Sequence, residues 1–175
     1  MKRTILLFGC ISGLISALWA VGYINFAPRD MNMDKGMWLG YASMLLANVF
    51  LVVGVKSYRD KVGGGFISFG KAFKVGFLIA LVAATFYVVS WLIYYYSSGT
   101  DFIEYWTACM NKQLAESGAT PAEIQANAIE MKKFGEMYQN PFFNAAITYT
   151  EILPLGTVFA LLTALILKRK PKPAL

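Results

Sequence analysis

The sequence contains no histidine, and only two of its 175 residues are cysteine. Histidine is the commonest metal ligand in proteins and the usual general base near neutral pH. Its absence excludes enzymes that depend on a catalytic or metal-binding histidine, and the apolar parts of the chain hold no cluster of carboxylates to replace it. We therefore expect no catalytic residues, no metal site and no enzymatic activity. Cys10 and Cys109 lie in regions expected to be far apart, so no internal disulfide is predicted.

Charged residues are also scarce, at 15% of the chain, where a soluble domain has about 25%. Hydrophobic residues make up 57% and are concentrated in four runs. Each run is long enough for a helix to cross the roughly 30 Å hydrocarbon layer of a bilayer. The runs cover residues 4–27, 37–55, 75–96 and 142–167. The sequence therefore predicts an all-α membrane protein whose four transmembrane helices form a single domain, residues 1–175.

The first run has an alternative interpretation as a secretory signal, since Lys2 and Arg3 precede it. Its length exceeds the 7–15 apolar residues of a typical signal, and no A-x-A cleavage site follows. The residues ending at Cys10 resemble a lipoprotein box, but only a few apolar residues precede them. We expect a retained transmembrane helix.

The net charge of +6 raises the question of a nucleic-acid partner. Most basic residues, however, lie near the N-terminus, in the 56–74 connection and near the C-terminus, where Asp60 is the one acid. The region 97–140 is rich in acids, so the distribution follows the positive-inside rule. This pattern predicts cytoplasmic termini, a cytoplasmic loop at 56–74 and an extracytoplasmic loop at 97–140. The expected partners are anionic lipid headgroups at the basic loop and tail, and no nucleic acid.

The loop at 97–140 is long enough to form helices of its own. Apolar residues recur at helical spacing from Phe102 to Leu114, and Gly118 is a suitable stop for that helix. Thr120 and Glu123 form a capping box with proline at the first helical position. The loop is therefore predicted to be an amphipathic helical hairpin. It would either pack on the bundle as a lid or bind a partner through exposed aromatic residues such as Trp106.

Residues 65–72 match the phosphate-loop pattern G-x-x-x-x-G-K-[ST] except at Ala72. A phosphate loop needs a preceding strand and a hydroxyl group at that last position. Here a transmembrane helix precedes the glycines, and alanine has no hydroxyl. Ser68 and Lys71 also match S-x-x-K, but the companion motifs of serine acylating enzymes are missing. We expect neither nucleotide binding nor acyl transfer, and no cofactor.

The same stretch has a simpler structural interpretation. The three glycines from Gly63 permit a turn after the second helix, and Ser68 can cap the next one. Four phenylalanines then share one face of a helix expected to lie in the headgroup region, with lysines beside it. These phenylalanines are Phe66, Phe69, Phe73 and Phe77.

Residues 56–76 resemble the signature y-R-d…G-G-x-I-S-F-x-x-A-F-x-x-G of a bacterial membrane family, domain-of-unknown-function family 4199. The candidate residues of this motif turn and interfacial helix are Arg59, Asp60, Gly64, Gly65, Ser68, Phe69, Phe73 and Gly76, together with Lys71, which lies at a variable position of the signature. The resemblance implies a multi-pass protein of the bacterial cytoplasmic membrane with the same four-helix layout. It supplies no activity and no catalytic residue.

Glu151 is the one charge inside the fourth run, about 15 Å from its start by helical rise. A charged group at that depth costs about 2.5–3.5 kcal/mol, so it should face the bundle interior or be protonated. Pro154 opens the helix nearby. If the membrane run instead begins near Ala146, the carboxylate lies close to the interface. Depth counting suggests an intramembrane polar cluster of Glu151, Asn48, Ser16 and Thr85.

Two functions remain compatible with these patterns. The first is a non-catalytic structural or interaction role, in which a homo-oligomer or a membrane protein partner is possible. The alternative is a small transporter or channel component in which Glu151 titrates and Pro154 supplies flexibility.

Overall fold

The computed structural model describes residues 1–26, 33–97 and 102–170. The expected end of the first span at residue 27, the start of the 97–140 loop and the C-terminal residues from 171 lie outside these ranges. The described residues form six α-helices. They are α1 (Lys2–Phe26), α2 (Met33–Lys61), α3 (Phe69–Ser97), α4 (Phe102–Glu116), α5 (Pro121–Tyr138) and α6 (Pro141–Leu167).

Four of these helices are long and apolar enough to cross a membrane. Their candidate spans are Lys2–Trp19 in α1, Trp38–Lys61 in α2, Phe69–Ser97 in α3 and Pro141–Leu167 in α6. Helices satisfy all their internal backbone hydrogen bonds, which is why they suit a solvent that offers none. The prediction of an all-α, multi-pass membrane protein with four spans is confirmed.

The connection between α2 and α3 is shorter than predicted. α2 continues to Lys61 and α3 begins at Phe69, so the loop expected at 56–74 shrinks to residues 62–68. The separate interfacial helix is therefore wrong: Phe69 and Phe73 lie in the first turns of α3, and Phe66 precedes the helix. The apolar runs show only which residues can lie in the hydrocarbon layer, and the helices continue beyond them. Basic residues such as Arg59 are favourable in the last turn of a helix, where they interact with its dipole.

The chain forms two compact units. One comprises Met1–Trp91 together with the chain from Thr148 onward, and the other comprises Leu92–Ile147. The apolar pattern carries no sign of this division because α3 and α6 are each continuous across it.

The first unit has a core where α1, α2, α3 and α6 meet. Its fully buried side chains include Leu51, Val55, Val75 and Ile79. Small residues let the helices approach closely, as is common among membrane helices. A methyl group added at Gly156 of α6 would lie 2.8 Å from the Cβ atom of Ala80 in α3.

A buried polar contact joins α1 to α2 in the same unit. The Ser12 hydroxyl donates to the backbone carbonyl of Ala47 over 2.7 Å. A hydroxyl without a partner is costly in an apolar interior, and this bond satisfies it across the helix interface.

The second unit contains the predicted helical hairpin, α4 and α5. Gly118 has a φ of 87° between the two helices, a conformation that favours glycine. The side chain of Thr120 and that of Glu123 cap α5 reciprocally, which confirms the predicted capping box. The Asn127 amide donates to the Asn111 side-chain oxygen over 2.8 Å and joins the two helices. Trp106, predicted to lie on the apolar face of α4, is 40% exposed.

Candidate functional site

The glycine turn after α2 is held by its own backbone. The Gly65 N–H donates to the Arg59 carbonyl over 3.0 Å, and the Gly63 N–H donates to the carbonyls of Tyr58 and Arg59. Gly64 and Gly65 have φ values of 60° and 85°, where side chains are strained. At Gly63 a Cβ atom would collide with the Phe66 carbonyl oxygen. All three glycines are therefore required by the geometry of this turn.

The family-signature residues after the turn start α3 and pack it. The Ser68 side-chain oxygen accepts from the Lys71 N–H over 3.4 Å, as expected for a cap. The rings of Phe69 and Phe73 stack with their centroids 6.4 Å apart. Gly76, fully within α3, packs against Ala160 of α6.

The turn is also tied to the end of α6, a contact with no sign in the local sequence. The Ile67 N–H donates to the Arg169 carbonyl over 3.1 Å, and the Arg169 N–H donates back over 2.9 Å. Ile67 is buried in the core of the first unit. The bridge therefore fixes the chain after α6 beside the α2–α3 turn.

This bridge brings Arg169 to the basic side chains that α2 holds near Asp60. The Arg59 guanidinium forms an ion pair of 2.7 Å with the Asp60 carboxylate. Lys56 and Arg169 are close enough to interact electrostatically with the same carboxylate. The Lys71 ammonium lies 5.9 Å from the centre of the Tyr58 ring, in range for a cation–π contact. We call Lys56, Arg59, Lys71 and Arg169 the basic cluster.

The basic cluster carries four cations and one neighbouring carboxylate, and Lys56, Lys71 and Arg169 are exposed. Such a group can attract an anion such as a phosphate headgroup. It lacks the strand-to-turn geometry of a phosphate loop, because α2 leads into the glycines. Among the described residues, no three histidine, cysteine, aspartate or glutamate side chains are grouped closely enough to hold a metal ion.

The structure does not join the four residues of the predicted intramembrane cluster by hydrogen bonds. Ser16 donates to the Ser12 carbonyl over 3.0 Å, and Asn48 donates to the Met44 carbonyl over 2.8 Å. Each of these side chains bonds to its own helix four residues back, as polar residues in apolar helices often do. Thr85 does the same toward the Leu81 carbonyl.

Glu151 is exposed and so does not face the bundle interior, and the other expectation, that its carboxyl group is protonated, stays a prediction. The buried side of α6 follows a four-residue spacing through Thr148, Gly156 and Ala160. Position 152 continues this four-residue spacing between Thr148 and Gly156. Glu151 precedes position 152 by one residue, so it lies about 100° around the helix from the buried side. α6 begins at Pro141, but a helix can extend beyond the hydrocarbon layer, so a membrane run that starts near Ala146 stays a prediction.

Two polar residues of α6, Tyr149 and Asn144, make contacts that the sequence did not predict. The Tyr149 hydroxyl donates to the Thr85 side-chain oxygen over 2.8 Å and links α6 to α3. Asn144 is completely buried. A tyrosine and an asparagine inside an apolar run are the signals that could have drawn attention to them, since tyrosine usually collects at the membrane interface.

A family model described as protein of unknown function (DUF4199) matches residues 7–169. The chain belongs to this family. The match covers the glycine turn, the basic cluster and both sides of the Ile67–Arg169 bridge, and it confirms the resemblance seen in the signature residues. No curated protein and no solved structure matches the chain. DUF4199 membership assigns no chemical role to any residue.

Proposed function

We propose that this DUF4199 member is a non-catalytic protein of the bacterial cytoplasmic membrane whose basic cluster binds anionic lipid headgroups, in a structural or interaction role. The observation that carries the proposal is the Ile67–Arg169 bridge. It places Arg169 beside Lys56 and Arg59, residues that are more than 100 positions away in the chain. Two segments of the protein thus contribute cations to one surface.

The surroundings of the basic cluster favour lipid as the bound anion. Phe66 and Phe69 are 37% and 39% exposed next to the lysines. Aromatic and basic side chains placed together suit the boundary between headgroups and hydrocarbon. Each lysine or arginine near an anionic surface contributes on the order of 1 kcal/mol of attraction.

Charge distribution supports an orientation for the protein. The basic cluster and the basic residues flanking α1 and α6 would face the cytoplasm, together with both termini, and α4 and α5 would be extracytoplasmic. The exposed position of Glu151 offers no support for the transporter alternative, which needs polar groups lining a path through the bundle.

Lipid retention tests the binding proposal. The full chain in nanodiscs of mixed phosphatidylglycerol and phosphatidylcholine is delipidated stepwise, and the lipids that remain are quantified. The wild type should retain phosphatidylglycerol preferentially, and the Lys56→Gln/Arg169→Gln variant should lose that preference by roughly tenfold or more. The matched control is Lys132→Gln/Lys133→Gln, which removes two exposed charges from α5. Equal retention by the first variant and the wild type would refute lipid binding by the basic cluster.

Cysteine labelling tests the orientation. Both free cysteines are replaced by serine, and a single cysteine is introduced as Lys170→Cys or as Gln125→Cys. A membrane-impermeant maleimide added to intact spheroplasts should label only the Gln125→Cys protein. Labelling of Lys170→Cys instead would reverse the proposed topology.

A further inference from the structure

One side of α6 is exposed along the first unit. Its members follow a four-residue spacing, opposite to the buried side that packs on α3. They are Thr150, Pro154, Val158, Leu162 and Ile166. We call them the exposed ridge. Its large aliphatic members can face lipid. Thr150 and Pro154 are smaller, and small residues allow a neighbouring helix to approach closely.

Tyr149 and Glu151 flank the exposed ridge on opposite sides. They precede and follow Thr150 by one residue, so each lies about 100° from it around the helix. The side chain of Glu151 is exposed and has no hydrogen-bond partner among the described residues. Because the two flanks are about 200° apart, the Glu151 carboxyl group cannot reach Tyr149 of its own chain.

The hydrogen-bonding capacities of the two flanks are complementary. The Tyr149 hydroxyl donates its proton in the hydrogen bond to Thr85, but its oxygen can still accept a hydrogen bond from another group. A neutral carboxyl group at Glu151 has one proton to donate. By helical rise Glu151 lies about 24 Å from Leu167, so with Leu167 at the inner edge of a hydrocarbon layer of roughly 30 Å it lies about 6 Å inside the outer edge, and deeper if the layer begins nearer Pro141. A carboxyl group exposed to lipid inside the layer is costly, and a donated hydrogen bond reduces the cost.

We propose that the exposed ridge of α6 is the contact surface of a parallel two-fold dimer in which Glu151 of each copy donates a hydrogen bond to the Tyr149 hydroxyl oxygen of the other. Copies of one sequence insert with the same orientation, so their α6 helices run parallel. In a parallel symmetric helix pair, the side of one helix that carries Glu151 faces the side of the other helix that carries Tyr149. The e and g positions of parallel coiled coils meet in the same way. One donor and one acceptor per copy therefore give two identical bonds.

A second copy supplies a hydrogen-bond acceptor for Glu151, the Tyr149 hydroxyl oxygen, and no intramembrane cation. The basic residues of this chain near α6 follow its last apolar residue, Leu167, so a second copy brings no cation to the depth of Glu151. The bond is therefore one between neutral groups. This distinction makes Glu151→Gln informative, because an amide still donates a hydrogen bond whereas it cannot form an ion pair.

Self-association in a bilayer tests the proposal. The full chain, labelled with donor and acceptor dyes, is reconstituted in phosphatidylcholine vesicles and energy transfer is followed as lipid is added. Glu151→Leu and Tyr149→Phe should each weaken association by about tenfold or more, since each removes both symmetric bonds. Glu151→Gln should retain it. Thr85→Val, which loses the bond within one chain but keeps the Tyr149 oxygen, and Leu18→Ala on exposed α1 should also associate like the wild type.

A monomeric wild type would overturn the proposal, and so would loss of association in Glu151→Gln, because the amide keeps a group that can donate the hydrogen bond. Crosslinking gives an independent readout that does not depend on the stability of the Glu151 variants. With Cys10 and Cys109 replaced by serine, Thr150→Cys should form a disulfide between copies under oxidation and Leu18→Cys should not. The reverse result would place the interface elsewhere.

The inference rests on the proposed interaction role, yet the two can fail separately. Phosphatidylcholine vesicles contain no anionic lipid, so dimerisation there is independent of headgroup binding. Dimers that show no preference for phosphatidylglycerol would refute only the proposed function. A monomer that retains phosphatidylglycerol through the basic cluster would refute only the dimer.

Discussion

The two compact units use different interactions to hold their helices together. In the first unit, small residues allow the backbones to pack closely, and a pair of backbone hydrogen bonds links the α2–α3 turn to the end of α6. In the second, α4 and α5 bury Ile103 and Tyr138 among their described side chains and rely on a side-chain bond between Asn111 and Asn127.

The difference follows from what each set of helices has to bury. The helices of the first unit are apolar on all sides, so burial alone does not select which faces meet, and shape and close approach do. α4 and α5 each mix apolar and polar residues, and the connection between them is defined by a glycine stop and a capping box. Substitutions that add volume should therefore damage the first unit most, and loss of the helix cap should damage the second.

The largest effect is expected from Gly156→Ala. The added methyl group would come within 2.8 Å of the Ala80 Cβ atom, too close for either helix to remain in place. We expect about 2–3 kcal/mol of destabilisation from overpacking, measured by titration with sodium dodecyl sulfate in mixed micelles. The control is Gly40→Ala in α2, where no atom lies within 4 Å of the added group. If both variants unfold at the wild-type detergent fraction, close packing does not hold this unit together.

A smaller effect is expected from Arg169→Pro. Proline removes the N–H group that donates to Ile67, so one of the two bridge bonds is lost and a carbonyl is left without its donor. The expected destabilisation is about 1–2 kcal/mol, with faster proteolysis at the α2–α3 turn. Arg169→Gln is the matched control, since it removes the charge and keeps the backbone bond. A stable Arg169→Pro variant would show that the tail is not needed to hold the turn.

In the second unit, Thr120→Ala removes the side chain that caps α5. The loss should destabilise this helix by about 1 kcal/mol, seen as faster hydrogen exchange in its first turn. The exposed Lys112→Ala is the control, because its ion pair with Glu116 spans 4.0 Å between solvent-exposed groups and is worth little. Equal exchange in both variants would mean that packing, and not the cap, fixes the start of α5.

The smallest expected effect is the pH dependence of the same cap. Hydrogen bonds from the Thr120 backbone and side chain lower the pKa of Glu123 below its ordinary value. A carboxyl group with a lowered pKa in the folded state stabilises α5 above its ordinary pKa of about 4.3, and this contribution is lost as the pH falls through the lower folded value. When the pH is raised from 3 to 6, hydrogen exchange in the first turn of α5 should therefore slow more in the wild type than in Glu123→Gln. The rates are compared after correction for the intrinsic pH dependence of exchange. Identical pH profiles would exclude the carboxylate from the cap.

Local patterns predicted local structure well. The capping box, the Gly118 stop and the Ser68 cap all concern hydrogen bonds between residues a few positions apart, and each is present. The apolar runs gave the number of spans, but not the ends of α2 and α3, because helical hydrogen bonding continues after the hydrocarbon layer ends.

The candidate sites were predicted less completely. The signature residues from Arg59 to Gly76 were found by resemblance, yet Arg169 was not connected with them. The four residues of the intramembrane cluster are not hydrogen-bonded to one another, and their depth along the helices did not predict which way each one faces. Glu151 and Thr148 lie three residues apart, and one is exposed while the other is buried.

By itself the sequence determined that this chain is a multi-pass helical membrane protein, because hydropathy and run length decide partitioning into a bilayer. It also determined the turn and cap geometries, which depend on neighbouring residues. Only the tertiary structure decided that Arg169 joins the glycine turn, that Tyr149 bonds to Thr85, and that Glu151 faces outward. These contacts depend on how apolar helices rotate and shift against one another, and that choice is made by close packing between segments far apart in the chain.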